Sequence, residues 1–118
     1  MMKNKHLFIR LGFAFNGLKV AFSSEKSLRF QMIVAISAFL VLIVLQPPLF
    51  WWAIVIMMIA LVLAAELFNT ALEIICDYVQ PEYHEAIKKV KDVSAAAVLM
   101  ISLAAFIVGI LFLVDSLG

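Results

Sequence analysis

The sequence predicts an all-α integral membrane protein, with an N-terminal amphipathic surface helix followed by three transmembrane helices. Of its 118 residues, 66% are hydrophobic and 14% are charged, and the mean hydropathy of +1.13 is too high for a water-soluble domain. Three apolar stretches each approach the roughly 20 residues with which a helix crosses a bilayer. The length fits one compact domain over residues 1–118. The lone cysteine, Cys76, excludes an intramolecular disulfide.

The surface helix is predicted over about residues 5–22, where bulky apolar residues are mixed with Arg10, Asn16 and Lys19. This mixture is typical of a helix that lies in the membrane interface. Directly after it, Ser23 or Ser24 is expected to act as the N-cap of a new helix.

The first span is predicted over about residues 27–45, which are uncharged except at Arg29. Arg29 can extend its guanidinium toward the headgroups, so its charge does not exclude a span that begins near it. Gln46, Pro47 and Pro48 end this helix, because proline lacks the amide donor and disfavours helical geometry in the residue before it.

The second span is predicted over about residues 49–77. It opens with Trp51 and Trp52, aromatic residues of the kind that anchor helices at the lipid headgroups. A polar connector, residues 82–91, is expected to form a helical turn or two. The third span is predicted over about residues 92–114, of which the last 22 are uncharged.

The basic residues indicate how the chain is oriented in the membrane. All nine Lys and Arg residues either precede the uncharged part of the first span or lie between the second and third spans. The positive-inside rule therefore predicts a cytoplasmic N-terminus and second connector, with the C-terminus outside.

Four polar side chains of the second span share one helix face. At about 100° per residue, a stripe of roughly 80° contains Glu66, Asn69, Glu73 and Asp77. Three carboxylates on a membrane-bound helix repel each other and resist desolvation. The stripe therefore predicts a site that is occupied by a cation, water or a substrate.

The chemistry of these residues suits phosphoryl transfer to a lipid. Glu66 lies deepest and is a candidate general base for a lipid hydroxyl. Glu73 and Glu25 offer the oxygen ligands that Mg²⁺ accepts together with substrate phosphates. Lys91, followed by Asp92, offers an ammonium that can neutralise phosphate charge. A glycine-rich phosphate loop is absent from the sequence.

From these residues alone, two classes of function stay open. One is an enzyme, and the other is a small oligomeric cation-coupled transporter that uses Glu66 as its carrier carboxylate. A transporter should place its essential acid near the middle of the bilayer. Because the acids and Lys91 gather at one interface, the enzyme is favoured.

The combined motifs resemble the small prokaryotic diacylglycerol kinase family, which includes the undecaprenol kinases. The likeness covers nearly the whole chain. It depends on two patterns, Glu66-x-x-Asn69-Thr70-Ala71-x-Glu73-x-x-x-Asp77 and, after Glu82-Tyr83-His84, Lys91-Asp92-x-x-Ala95-Ala96-Ala97-Val98.

The resemblance implies a homotrimer in the bacterial cytoplasmic (inner) membrane that uses ATP and Mg²⁺ and binds no nucleic acid. It also implies a role for each matching residue. These roles are general base for Glu66, metal ligand for Glu25 and Glu73, nucleotide contact for Asn69, Glu73, Lys91, Asp92 and Glu25, and substrate contact for Glu66, Arg29 and Ala95.

The lipid substrate implied first is diacylglycerol, which would become phosphatidic acid, and the alternative is undecaprenol. Gln31 stands where diacylglycerol kinases carry a second acid and where undecaprenol kinases often carry histidine. Asn16 likewise replaces a lysine of some diacylglycerol kinases. These departures leave the lipid open.

Overall fold

The computed structural model describes residues 2–118, with side chains described from Lys5 onward. Within that range the chain forms four helices and no strand. They are α1 (Met2–Ser24), α2 (Lys26–Leu45), α3 (Leu49–Val79) and α4 (Glu85–Leu117). The last three are long and apolar enough to cross a membrane. The predicted fold, an N-terminal helix followed by three transmembrane helices, is confirmed.

The junction between α1 and α2 differs from the prediction. Glu25 is the residue between the two helices, has an extended backbone (φ −114°, ψ 112°) and occupies the N-cap of α2. The hydroxyls of Ser23 and Ser24 instead donate to carbonyl oxygens one turn back in α1, at Lys19 and Val20. The predicted serine cap is therefore wrong, because both side chains bond to the helix that they end.

Helix α1 is present as predicted, but its apolar side chains do not form a single stripe. Phe8 is 70% exposed and Phe13 is 68% exposed, and five residues of helix place these two rings about 140° apart. Helix α1 contacts α2 and α3, and Ala21 near its end is buried. Apolar side chains therefore emerge from α1 in more than one direction.

A tight turn joins α2 to α3, as the two prolines predict. Gln46 adopts the left-handed conformation (φ 46°), and its amide N–H donates to the Leu42 carbonyl oxygen at 2.9 Å. Pro48 occupies the N-cap of α3. We call this end of the molecule the turn end and the opposite end, where α3 ends and α4 begins, the site end.

The apolar core lies at the turn end. Leu42, Trp51, Val55 and Phe112 form one buried cluster from three helices. The indole Nε1 of Trp51 donates to Oδ2 of Asp115 at 2.7 Å, which joins the start of α3 to the end of α4. Trp51 is only 8% exposed, so it is a core residue and not the headgroup anchor that its position in the sequence predicts.

Helices α3 and α4 are longer than a bilayer requires. Their 31 and 33 residues correspond to about 46 and 50 Å, against a hydrocarbon core of about 30 Å. The predicted polar connector is mostly the first turns of α4, which His84 begins by accepting the amide N–H of Ala86 at Nδ1. The site end is thus built from helix ends that extend beyond the hydrocarbon.

Replacing Trp51 with phenylalanine tests the hydrogen bond between Trp51 and Asp115 at the turn end. We expect Trp51→Phe to lower the free energy of unfolding by about 1 kcal/mol, because a ring is kept while the hydrogen bond to Asp115 is lost. The measurement is unfolding in detergent micelles. Trp52→Phe is the matched control, since Trp52 makes an edge-to-face contact with Phe39. An equal loss in both variants would contradict the role of the hydrogen bond.

Candidate active site

Glu66 is the most buried acid that the structure describes. It lies on α3, is 4% exposed, and its Oε2 accepts a hydrogen bond from the Ser27 hydroxyl of α2 at 3.2 Å. Thr70 is also buried, and its hydroxyl donates to the backbone carbonyl oxygen of Glu66, so this hydroxyl has its hydrogen-bond partner within α3. An ionised carboxylate in such surroundings has lost most of its water and keeps one donor to compensate.

Glu25, at the N-cap of α2, lies next to Glu73 of α3. Partial burial raises the pKa of the Glu25 carboxyl above its ordinary value of 4.5, and the adjacent Glu73, which shares a hydrogen bond with it, raises the pKa further. The more distant charge of Glu66 acts in the same direction. Negative charge is therefore concentrated at these carboxylates, and a bound cation would balance it.

Asn69 connects this acidic group to α4. Its Nδ2 donates to Oε1 of Glu73 at 3.3 Å, and its Oδ1 accepts the hydroxyl of Ser94 at 2.7 Å. Ser94 is buried on α4. A hydrogen-bonded path therefore runs from α4 through Asn69 to Glu73.

Lys91 and Asp92, adjacent in the sequence, lie in different surroundings. The ammonium of Lys91 contacts Oδ1 of Asp77 at 2.6 Å, at the end of the polar stripe. Asp92 is paired with Lys88 at 2.6 Å on the exposed side of α4. Adjacent residues of a helix point about 100° apart, so Lys91 borders the acidic group while Asp92 points away from it.

The two remaining candidates, Arg29 and Ala95, lie at the edge of the site. Arg29 donates from its Nη1 to the carbonyl oxygens of Phe22 and Ser23, at 2.8 and 3.3 Å. It thereby satisfies carbonyls that the end of α1 leaves without helical partners. Ala95 is exposed on α4, one residue beyond Ser94.

An apolar groove of about 550 Å³ lies between α2, α3 and α4. Gln31 and Leu63 are among its lining residues. They stand one helix turn from Ser27 and Glu66 respectively, toward the turn end. The buried Glu66 therefore lies one helix turn from a residue that lines an apolar groove.

The residues present fit Mg²⁺ better than a metal held entirely by protein. Within residues 2–118, no group of three or more His, Cys, Asp or Glu side chains is placed to hold an ion. Mg²⁺ is commonly bound by one or two carboxylates together with substrate phosphates. Glu25 and Glu73 supply such a pair, and their mutual repulsion is what a divalent cation would remove.

The profile of prokaryotic diacylglycerol kinases matches residues 12–113 of this sequence. The chain belongs to the prokaryotic diacylglycerol kinase family. This membrane kinase also resembles individual curated relatives. The diacylglycerol kinase of Synechocystis sp. is 32% identical over 105 residues, which are 88% of this chain and 60% of that protein.

Two further relatives share more of their own length with this chain. The diacylglycerol kinase of Escherichia coli K12 is 28% identical over 107 residues, covering 91% of this chain and 88% of that protein. The diacylglycerol kinase of Sinorhizobium sp. is 30% identical over 100 residues, covering 85% and 72%. The predicted family is therefore confirmed, and with it the class of lipid kinase.

The raised pKa of Glu25 sets the sign of a pH effect on stability. Because the folded-state pKa lies above 4.5, the folded protein holds this proton more tightly than the unfolded chain does. The stability that Glu25 contributes is fully present below pH 4.5 and is lost as the pH rises through the raised pKa. Without Mg²⁺, the unfolding temperature of the wild type should fall over this range more than that of Glu25→Gln.

The exposed acid Glu85, in the first turn of α4, provides the control. Glu85→Gln should retain the pH dependence of the wild type in the same thermal unfolding measurement. Parallel curves for the wild type and Glu25→Gln would contradict the assignment of the effect to Glu25.

Proposed function

We propose that this chain transfers the γ-phosphoryl group of ATP to the hydroxyl of diacylglycerol, giving phosphatidic acid. The observation that carries the proposal is the buried Glu66 carboxylate on α3, one helix turn from Leu63, which lines the apolar groove, and two turns from Glu73 of the acidic pair. A lipid alcohol and a nucleotide can meet there from opposite directions. The names of the curated relatives support diacylglycerol as the alcohol.

Glu66 is proposed to accept the proton of the lipid hydroxyl. The Ser27 hydroxyl donates to Oε2 of Glu66, so Oε1 is the oxygen that would accept the proton. The lipid oxygen then forms a bond to the γ-phosphorus, the bond from that phosphorus to the bridging oxygen breaks, and ADP leaves. Such a transfer depends on positioning and charge neutralisation, which need no covalent intermediate with the protein.

The acidic pair and the basic residues would hold the nucleotide. Glu25 and Glu73 would bind Mg²⁺, which, when bound, neutralises phosphate charge as the transfer proceeds. Asn69 keeps Glu73 in place through its amide. Lys91 lies beside the stripe and can exchange its contact with Asp77 for a phosphate oxygen, since Asp77 is exposed and Lys91 is partly exposed.

The groove between α2, α3 and α4 is proposed to take an acyl chain of the lipid. Because the lining is apolar, an acyl chain can move from the bilayer into the groove without contacting water. Arg29 and Ala95 would contact the substrate at the membrane surface. Asp92 would have to leave its pair with Lys88 and turn toward the stripe to contact the nucleotide. We also infer that the chain works as a homotrimer in the bacterial inner membrane, with its N-terminus in the cytoplasm and its C-terminus outside.

Undecaprenol is a second candidate substrate because Gln31 lines the same groove and supplies an uncharged side chain there. The experiment that tests the proposal measures ADP release by the purified protein in lipid bicelles with Mg²⁺ and ATP. Diacylglycerol should stimulate ADP release more than undecaprenol does. Stimulation by undecaprenol alone would reassign the substrate, and stimulation by neither would favour the cation-coupled transporter.

Glu66→Gln tests the catalytic base. We expect the rate of diacylglycerol-dependent ADP release to fall by a factor of about 10² to 10⁴, the range that general base catalysis provides. The unfolding temperature should change little, because glutamine keeps the shape and can still accept the Ser27 hydroxyl. Glu82→Gln, which alters an exposed acid between α3 and α4, is the control. Near-normal turnover in Glu66→Gln would remove the assignment.

A further inference from the structure

Ser94 is a buried hydroxyl whose only recorded partner among the described residues belongs to the candidate active site. It is 8% exposed on α4, and its Oγ donates to Oδ1 of Asn69 at 2.7 Å. Elsewhere in the chain, hydroxyls such as that of Ser37 bond to a carbonyl of their own helix. Ser94 instead crosses to α3, where it meets the residue that contacts Glu73.

This contact and the contact to Glu73 are satisfied together by one orientation of the Asn69 amide. An asparagine amide has an acceptor oxygen on one side and a donor nitrogen on the other. With Oδ1 held by Ser94, Nδ2 faces Oε1 of Glu73 at 3.3 Å. The reversed amide would place its oxygen against the carboxylate, which can only accept hydrogen bonds when it is ionised.

The orientation matters because Glu73 has a like-charged neighbour. Glu25 lies close to Glu73, so the direction in which the Glu73 carboxylate faces decides whether the two can share a cation. The Asn69 amide donates to the Glu73 carboxylate. Ser94 holds the other side of that amide and so restrains its position.

We propose that Ser94 is a positioning residue that acts through Asn69 to keep Glu73 oriented for sharing a divalent cation with Glu25. The inference depends on the proposed function, since it deepens the role of the acidic pair. Ser94 contacts neither the ion nor the nucleotide. Its effect should therefore appear mainly in the Mg²⁺ requirement and much less in the rate at saturating Mg²⁺.

The first test compares Ser94→Ala with the wild type. Residues that orient a metal ligand typically change metal affinity by about 10-fold to 100-fold. We expect Ser94→Ala to raise two Mg²⁺ midpoints by about 10-fold. The first is the Mg²⁺ concentration that gives half-maximal ADP release. The second is the Mg²⁺ concentration that gives half of the Mg²⁺-induced rise in unfolding temperature. Glu73→Gln, which removes the ligand itself, should show the larger effect in both measurements.

Three further variants separate positioning from packing. Ser94→Thr keeps a hydroxyl and should restore the wild-type Mg²⁺ requirement, whereas Ser94→Cys, a weaker donor, should be intermediate. Ser37→Ala removes an exposed hydroxyl and should leave both midpoints unchanged. If Ser94→Ala does not fold, Ser94→Cys provides the comparison in its place.

A double variant tests the path through Asn69. Because Ser94 is proposed to act through that amide alone, adding Ser94→Ala to Asn69→Ala should not raise the Mg²⁺ midpoints further. The inference would be overturned if Ser94→Ala had the same Mg²⁺ midpoints as Ser37→Ala, or if Mg²⁺ did not stabilise the wild type.

The proposed function has a separate test. If the wild type released no ADP in response to lipid, the proposed function would be refuted, whereas the thermal measurement would still test Ser94 because it needs no lipid substrate.

Discussion

The structure depends on how a carboxylate is accommodated between membrane-spanning helices. Glu66 is 4% exposed, and a charge in such a position is costly unless nearby groups compensate for lost water. The Ser27 hydroxyl provides part of that compensation. Glu25, whose pKa is raised by partial burial and then by the neighbouring Glu73, lies with Glu73 close to this carboxylate. The packing of α2 against α3 therefore concentrates negative charge where helices leave the bilayer, and a cation is the simplest means of balancing it.

Polar and apolar contacts are distributed unevenly along the molecule. At the turn end, Leu42, Trp51 and Phe112 form an apolar cluster, and a hydrogen bond joins Trp51 to Asp115. At the site end, buried apolar residues such as Leu28 and Cys76 are accompanied by polar contacts between helices, which Ser27 and Ser94 make. Apolar packing therefore extends to both ends, whereas the polar groups that substrates need gather at one.

Much of this arrangement could be predicted because it is local to one helix or to one turn. Proline chemistry predicts the break at Gln46–Pro48, and helical periodicity predicts that Glu66, Asn69 and Glu73 share a face of α3. The length of the apolar stretches predicts the three spans. These inferences need only the geometry of a single helix and the thickness of a bilayer.

Contacts between helices were beyond such inference. Nothing in the spacing of Ser27 or Ser94 indicates that either hydroxyl meets a residue of α3, because periodicity within one helix does not define its register against another. The same limit explains the wrong prediction for Trp51, because a tryptophan at the start of a span looks the same in sequence whether it anchors the helix at the headgroups or packs in the core. It also explains Asp92, since the motif that joins it to Lys91 does not specify which of the two faces the stripe.

The tight turn at Gln46–Pro48 has a mechanical consequence for the bundle. It ties α2 to α3 beside the apolar cluster, while at the far end Ser27 meets Glu66 through a short polar contact. Because the prolines hold the two helices together at one end, any widening of the space between α2 and α3 at the other would break the Ser27 contact first. The buried carboxylate would then lose its one hydroxyl donor and become open to another.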